Sequence, residues 1–98
     1  MRSFDYIIVG AGSAGCLLAN RLVKNSKKTV LLIEEGGNNN NIWIHIPVGY
    51  FKTIFNPKFT KTFLTKPDSN LNNRIFKWPR GKTIGGSGSV NGLVYLRG

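Results

Sequence analysis

Two short apolar runs flank a stretch with helical spacing near the start of the chain. The first run is FDYIIVG at residues 4–10, and the second is TVLLIEE at residues 29–35. Between them, SAGCLLANRLVKN at residues 13–25 repeats its apolar positions near the spacing of one helix face. Short β-branched runs of this kind are typical of strands buried on both faces of a parallel sheet. The pattern predicts a strand–helix–strand (βαβ) core over residues 4–35, with a right-handed crossover.

The regular pattern ends after this core. Residues 36–79 hold only short apolar stretches, interrupted by Pro47, Pro57 and Pro67. A segment of this length is too long for an idle loop in a compact domain, so we expect a functional excursion or a wrapping segment. RIFKWP at residues 74–79 is a candidate for one brief strand before a second glycine-rich segment, residues 80–98. The fold class predicted is therefore α/β, with an irregular excursion.

Composition indicates a packed core, and charge is the unusual property. Hydrophobic residues make up 41% of the 98 residues, which is ordinary for a globular protein. Lys and Arg number 14 against 4 Asp and Glu, a formal charge of +10 that attracts polyanions. The longest basic run is the pair Lys27–Lys28, which argues against a dedicated nucleic-acid arm. Compositional bias, an acidic partner surface elsewhere and a dianionic cofactor all remain open, and a basic nucleic-acid-binding module is kept as an alternative.

Targeting and redox features favour an intracellular protein. Cys16 is the single cysteine, so an internal disulfide is excluded and a reducing compartment is expected. Asp5 and three spaced glycines interrupt the N-terminal apolar segment where a signal peptide would be continuous. No apolar run reaches the length needed to span a bilayer, so we expect a cytoplasmic protein without a transmembrane segment.

The first glycine turn has the spacing of a dinucleotide-binding loop. Gly10, Gly12 and Gly15 follow the first strand directly and open the helix. In this pattern the first glycine makes a tight turn, the second lets a diphosphate approach the backbone, and the third lets helix and strand pack closely. Helix N-termini carry unpaired N–H groups and partial positive charge, so they suit phosphates, and Ser13 adds a donor there.

An acidic residue completes the first pattern. Glu34 lies 19 positions after Gly15, at the end of the second strand, where a carboxylate can accept hydrogen bonds from ribose hydroxyls. Glu35 is the weaker candidate because it points to the opposite side of a strand. These features also fit an NAD-binding Rossmann module, which is kept as a second alternative.

The second glycine loop is GKTIGGSGSVNG at residues 81–92. It is not a P-loop, because Phe76 stands where that motif requires glycine. Arg80 and Lys82 offer cations beside it. Its backbone amides, including those of Gly86 and Ser87, and the Asn91 and Gly92 pair could serve an extended anionic ligand; a surface loop with a solvated basic rim remains equally open.

Four segments together resemble the start of the glucose-methanol-choline (GMC) oxidoreductases, most closely the choline-dehydrogenase-like branch. These segments are DYIIVGAGSAGCLLANRL, VLLIEEGG, WIHIPVGY and WPRGKTIGGSGSVNGLVYLRG. The resemblance covers nearly the whole chain. It implies that residues 1–98 form the N-terminal part of an FAD-binding domain, incomplete as an isolated domain. It further implies that the full protein oxidises an alcohol, choline-like or another primary alcohol, to an aldehyde by hydride transfer to flavin.

The resemblance also implies which residues bind FAD. The diphosphate would lie at Gly10, Gly12, Ser13 and Gly15, the adenosine ribose at Glu34, and the flavin end at Thr83 and at Asn91, Gly92, Leu93 and Val94. The two glycine loops would thus serve the two halves of one dinucleotide. Val90 stands where some relatives carry a histidine bonded to the flavin, so noncovalent binding is expected.

Several features depart from the family pattern. Glu35 replaces an alanine, Gly88 a serine, and Lys61 and Lys66 stand where tryptophan and glutamate are common, which puts the packing of the middle segment in doubt. The family's catalytic histidine lies beyond position 98, and His45 is expected to be a packed or loop residue. No catalytic residue and no metal ligand are therefore assigned, and the oligomeric state is open.

Overall fold

The computed structural model describes residues 2–24 and 26–97. Asn25, the last residue of the predicted helix, and Gly98, the end of the second glycine-rich segment, lie outside the described residues. The strands are β1 Tyr6–Val9, β2 Val30–Ile33, β3 Thr60–Leu64 and β4 Lys77–Gly81. The helices are α1 Ser13–Lys24, α2 Ile42–His45 and α3 Tyr50–Thr53. Single 3₁₀ turns lie at Pro47–Gly49, Ser69–Leu71 and Gly86–Ser89.

The first two strands and α1 form the βαβ core that the sequence predicts. β1 and β2 are parallel, with Tyr6 opposite Val30 and Val9 opposite Ile33. Asp5 fastens the start of this pair, because its carboxylate accepts hydrogen bonds from the Lys28 ammonium and the Thr29 backbone N–H, each at 2.8 Å. The α/β assignment is confirmed.

The expectation that both strands are buried on both faces is wrong for the described residues. Val9 is 82% exposed and Ile7 63% exposed. The physical reason is that α1 is the helix packed against this two-stranded sheet, and a single helix covers one face of it. Ile7 and Val9 are therefore left exposed. These strands therefore carry more apolar side chains than the described residues bury.

The middle segment contains more regular structure than the pattern predicts. α2, the following 3₁₀ turn and α3 pack on one another, and an antiparallel hairpin of β3 and β4 follows. Its register places Thr60 opposite Gly81 and Leu64 opposite Lys77. The strand predicted at residues 74–79 begins instead at Lys77 and runs to Gly81. Pro79 is tolerated within it because both strands of a two-stranded sheet are edge strands.

Aromatic and cationic side chains share one face of this hairpin. Phe63 lies opposite Trp78, and Lys61 lies opposite Arg80. The Arg80 guanidinium lies 5.1 Å from the centre of the Trp78 ring, and the Lys61 ammonium lies 5.6 Å from that of Phe63. These distances are within the range of cation–π attraction. Lys61 is thus accommodated by its strand neighbour.

The described residues form an elongated body of 54 × 32 × 32 Å. Its buried apolar side chains are few and include Ala11, Phe59 and Val90. Within residues 2–24 and 26–97, no helix has both the length and the apolar character required to cross a membrane.

Candidate functional site

The first glycine turn joins β1 to α1 in three residues. Gly10 has φ +99°, a left-handed conformation that side chains with a Cβ rarely adopt. Its N–H donates to the Ile33 carbonyl at 2.7 Å, which continues the strand pairing into the turn. The chain then enters α1 at Ser13, so the free N–H groups of the first helical turn face the end of the sheet.

Gly12 and Gly15 have different surroundings. A Cβ on Gly15 would overlap the Gly10 carbonyl oxygen and lie 3.4 Å from Cγ2 of Ile8, so close packing of α1 on β1 requires glycine there. A Cβ on Gly12 would meet no atom within 4 Å. The backbone of Gly12 therefore borders open space, and its lack of a side chain suits the close approach of a ligand.

Glu34 is fixed beside this turn by two backbone hydrogen bonds. One carboxylate oxygen accepts from the Ala11 N–H at 2.8 Å, and the other accepts from the Gly36 N–H at 2.9 Å. A carboxylate oxygen has two lone pairs, so each oxygen can also accept a hydrogen bond from a ribose hydroxyl. Glu34 is half-buried, whereas Glu35 is exposed, which matches the preference given to Glu34.

The two glycine loops are in direct contact. The Gly85 N–H donates to the Ala11 carbonyl at 2.7 Å. A Cβ on Gly86 would lie 3.0 Å from the Gly12 Cα, and one on Gly88 would lie 2.9 Å from the Ser13 hydroxyl oxygen. The start of the second loop lies against the first, and together they form one continuous surface.

Thr83 connects the second loop to the end of β2. Its side chain is fully buried, and its hydroxyl lies 3.0 Å from both the Gly37 and the Asn38 carbonyl oxygens. The Ile84 N–H also donates to the Gly37 carbonyl at 3.0 Å. The Thr83 hydroxyl is thus engaged inside the protein, and any contact of this residue with a flavin would come from its backbone.

The sequence analysis missed the partners of Thr83. Gly36 is the residue that permits this contact, because a Cβ there would overlap the Lys82 carbonyl. The Gly36–Gly37 pair after Glu35 is the signal in the sequence that could have indicated this contact. Close approach of another backbone is a common reason for such a pair.

Hydrogen bonds within the second loop define its shape. The Ser87 hydroxyl oxygen accepts from the Gly81 N–H at 3.0 Å, and the Ser89 hydroxyl donates to the Ile84 carbonyl at 2.9 Å. Val90, which ends this turn, is 5% exposed. A cavity of about 330 Å³ lies between the loop and β4, with Arg80 in its lining.

The end of the second loop is open to solvent. Gly92 lies near the Tyr50 ring, to which an added Cβ would come within 3.9 Å. Leu93 has a left-handed φ of +59°, and Val94 is 88% exposed. The four residues predicted at the flavin end, Asn91 to Val94, therefore present exposed backbone next to the joined loops.

The chain is similar to known proteins over nearly its whole length. The family model for GMC oxidoreductases matches residues 4–98. The chain is 52% identical over 95 residues to an alcohol dehydrogenase [acceptor] of Pseudomonas putida and 45% identical over 96 residues to an oxygen-dependent choline dehydrogenase of Photobacterium profundum. These alignments cover 97% and 98% of this chain and 17% of each relative.

Solved structures agree with the sequence comparisons. Pyridoxine 4-oxidase from Mesorbium loti superimposes with a TM-score of 0.88 at 34% identity, over 98% of this chain and 19% of that one. A formate oxidase variant of Aspergillus oryzae, studied for modification of its FAD, gives 0.79 at 38% identity over 90% and 16%. The chain thus spans a small part of the length of its relatives. With both loops, Glu34 and residues 4–98 matched, the chain belongs to the GMC oxidoreductase family.

Proposed function

We propose that this chain forms the dinucleotide-binding part of an FAD-dependent oxidoreductase, with FAD held noncovalently. The observation that carries the proposal is the joined pair of glycine loops, in which Gly85 bonds to Ala11 while Gly12 borders open space. A Cβ on Gly12 would meet no atom within 4 Å, so the described residues give no packing reason for glycine at this position. A ligand that approaches its backbone supplies that reason.

The diphosphate would lie at the first turn, over Gly10, Gly12, Ser13 and Gly15. The N-terminus of α1 would stabilise its charge by roughly 0.3–1 kcal/mol, or about 2 kcal/mol in a partly buried geometry. Gly86 and Ser87 would border the same anion from the second loop, because that loop starts against Gly12. Glu34, already oriented by two N–H groups, would accept from the adenosine ribose.

The flavin would lie along the exposed end of the second loop, against Asn91, Gly92, Leu93 and Val94. Thr83 would contribute only its backbone, since its hydroxyl is directed at Gly37 and Asn38. Val90 carries an aliphatic side chain without a nucleophilic atom, and it is buried. The lack of a nucleophilic atom at Val90 supports noncovalent attachment.

In the full-length protein we propose oxidation of a primary alcohol, choline-like or another small alcohol, to its aldehyde. Bound FAD would supply the acceptor for the hydride that leaves the alcohol carbon. The described residues hold and orient the dinucleotide, and we assign none of them to catalysis; His45 is exposed at the end of the short helix α2.

We further propose that residues 1–98 are the N-terminal part of an FAD-binding domain whose remaining sequence covers the exposed faces of β1 and β2. The domain would consist of the βαβ core 4–35, the extended segment 36–79 and the second loop 80–98. A cytoplasmic location fits the single cysteine, Cys16, which is expected to stay reduced there.

The test is to purify the full-length protein and identify what it carries. We expect the visible absorption bands of a flavin, and FAD released intact into the supernatant when the protein is denatured. A primary alcohol with an artificial electron acceptor should then yield aldehyde. Bound nicotinamide nucleotide without flavin would favour the NAD-binding module. Salt-dependent DNA binding without either cofactor would favour the nucleic-acid-binding module.

A further inference from the structure

The end of the second loop contains a leucine in an unfavourable conformation. Leu93 has φ +59°, in the left-handed region that residues other than glycine, asparagine and aspartate seldom occupy. Its side chain is 58% exposed, so burial of the side chain does not hold it there. Non-glycine residues persist in this conformation when their surroundings impose it, often at functional sites.

The Asn91 side chain supplies that constraint. Its Oδ1 accepts from the Leu93 N–H at 2.8 Å, which closes a turn two residues long. Its Nδ2 donates to the Gly88 carbonyl at 3.4 Å, at the limit of a hydrogen bond. Both ends of the amide thus contact the loop itself, one towards the 3₁₀ turn and the other towards the exposed end.

We infer that Asn91 is a positioning residue: by accepting from the Leu93 N–H it stabilises the turn that contains the left-handed Leu93, and this turn aims the backbone N–H groups of Gly92 and Val94 at the flavin end of the bound dinucleotide. Left-handed residues are components of the turns whose successive N–H groups form concave sites for electron-rich ligand atoms. The sequence analysis expected the Asn91 amide itself to contact the ligand, and this inference assigns it a different role. The inference rests on the proposed function.

A rescue experiment separates the two roles. In the full-length protein, Asn91→Ala should weaken FAD binding about tenfold, because the loop loses the bond that offsets the cost of the left-handed residue. Glycine adopts this conformation without that cost. Asn91→Ala with Leu93→Gly should therefore recover most of the loss that Asn91→Ala causes.

Two controls exclude a general loss of structure. ADP lacks the flavin and would contact Glu34, the first loop and the start of the second loop at Gly86 and Ser87, so Asn91→Ala should change ADP binding to the FAD-free protein by less than about twofold. Asn91→Asp keeps the acceptor for the Leu93 N–H but loses the donor to the Gly88 carbonyl, so it should bind FAD more tightly than Asn91→Ala and less tightly than the parent.

Failure of rescue by Leu93→Gly would overturn the inference, and so would an equal loss of ADP and FAD binding in Asn91→Ala. The first outcome would indicate direct contact between the Asn91 amide and the flavin, and the second a general structural role. Failure of the proposed function has a different signature, because the parent protein itself would then carry no flavin.

Discussion

Gly12 and Gly15 lie three positions apart in one turn, yet the surroundings of the two glycines differ. At Gly15 the requirement comes from the Gly10 carbonyl, which occupies the space of a Cβ. At Gly12 the same space is empty. A substitution at each position therefore distinguishes a glycine needed for folding from one needed for binding.

We predict that Gly12→Ala leaves the thermal midpoint of the FAD-free protein unchanged or slightly higher, since replacing an unstrained glycine adds up to about 1 kcal/mol of stability. The same change should weaken FAD binding at least tenfold, because a methyl group would stand where the diphosphate approaches. Thermal unfolding and FAD titration measure the two effects.

Gly15→Ala is the matched variant. It should lower the free energy of unfolding by about 1–3 kcal/mol, because α1 must move away from β1 to admit the methyl group. If Gly12→Ala proved as destabilising as Gly15→Ala, or bound FAD normally, the assignment of Gly12 to the ligand would be lost.

The residue pattern predicted these glycine positions together with a local reason for each. The spacing of Gly10, Gly12 and Gly15 was sufficient to predict the turn, because each glycine acts within a few residues of the chain. The buried role of Thr83 depends on carbonyl groups of Gly37 and Asn38, far away in sequence. No local pattern encodes such a contact.

At the scale of elements, the first residues of β1 and β2 are held together by a polar cluster at the surface. The Asp5 carboxylate accepts from the Lys28 ammonium and from both the N–H and the hydroxyl of Thr29. The Lys28 ammonium, followed by the Thr29 N–H and hydroxyl, holds the pKa of Asp5 well below its ordinary value. Protonation of Asp5 therefore opposes the pairing of the two strands.

We predict that acid weakens the start of this strand pair. Because the pKa of Asp5 is lower in the folded state than in the unfolded state, the stabilisation is complete above the unfolded-state value of about 3.9 and is lost as the pH falls below it. Amides near the starts of β1 and β2 should become less protected from hydrogen exchange as the pH is lowered from about 6 to about 3, after correction for intrinsic exchange.

Asp5→Asn should show reduced protection at the higher pH and little further loss in acid. Lys28→Gln, which removes the first partner, should show part of the same loss, and added salt should reduce the Lys28 contribution because the pair is exposed. Equal acid sensitivity in the parent and in Asp5→Asn would show that other groups control this end of the sheet.

Elements were predictable where their periodicity was uninterrupted. β1, α1 and β2 have clean apolar spacing, and the structure places them within a few residues of the expected bounds. β3 and β4 were missed or misplaced because Pro79 lies inside β4, and prolines usually signal the end of a strand. Their pairing also places Phe63 opposite Trp78, a cross-strand neighbour that single-strand patterns do not reveal.

At the scale of the whole molecule, hydrogen bonds close a ring through three distant segments. Ala11 bonds to Glu34 and to Gly85, and Thr83 bonds back to the carbonyls that follow β2. The apolar faces of β1 and β2 lie outside this ring and are exposed. The sequence predicted that both faces are buried because the side chains of these strands are apolar. The apolar composition of a strand indicates that the strand is suited to burial, but it does not show which part of the protein packs against it.

We predict that Thr83→Val weakens this ring of hydrogen bonds and destabilises the protein. The side chain keeps its shape but loses the hydroxyl, whose single proton is donated to the Gly37 or the Asn38 carbonyl, so the free energy of unfolding of the full-length protein should fall by about 0.5–1.5 kcal/mol. Thr83→Ser keeps the hydroxyl and should lose less, although it leaves space for one missing methyl group. Chemical denaturation measures both, and a serine variant as unstable as the valine variant would contradict the role of the hydroxyl.

The bond between Gly85 and Ala11 has a consequence for biosynthesis. Ribosomes add roughly 5–20 residues per second, so several seconds pass between the translation of Ala11 and that of its partner Gly85. The nascent chain cannot present the joined surface during that interval, and the strand and helix made first have only half of the binding surface. A dinucleotide can therefore contact both loops at once only after the second loop has emerged from the ribosome.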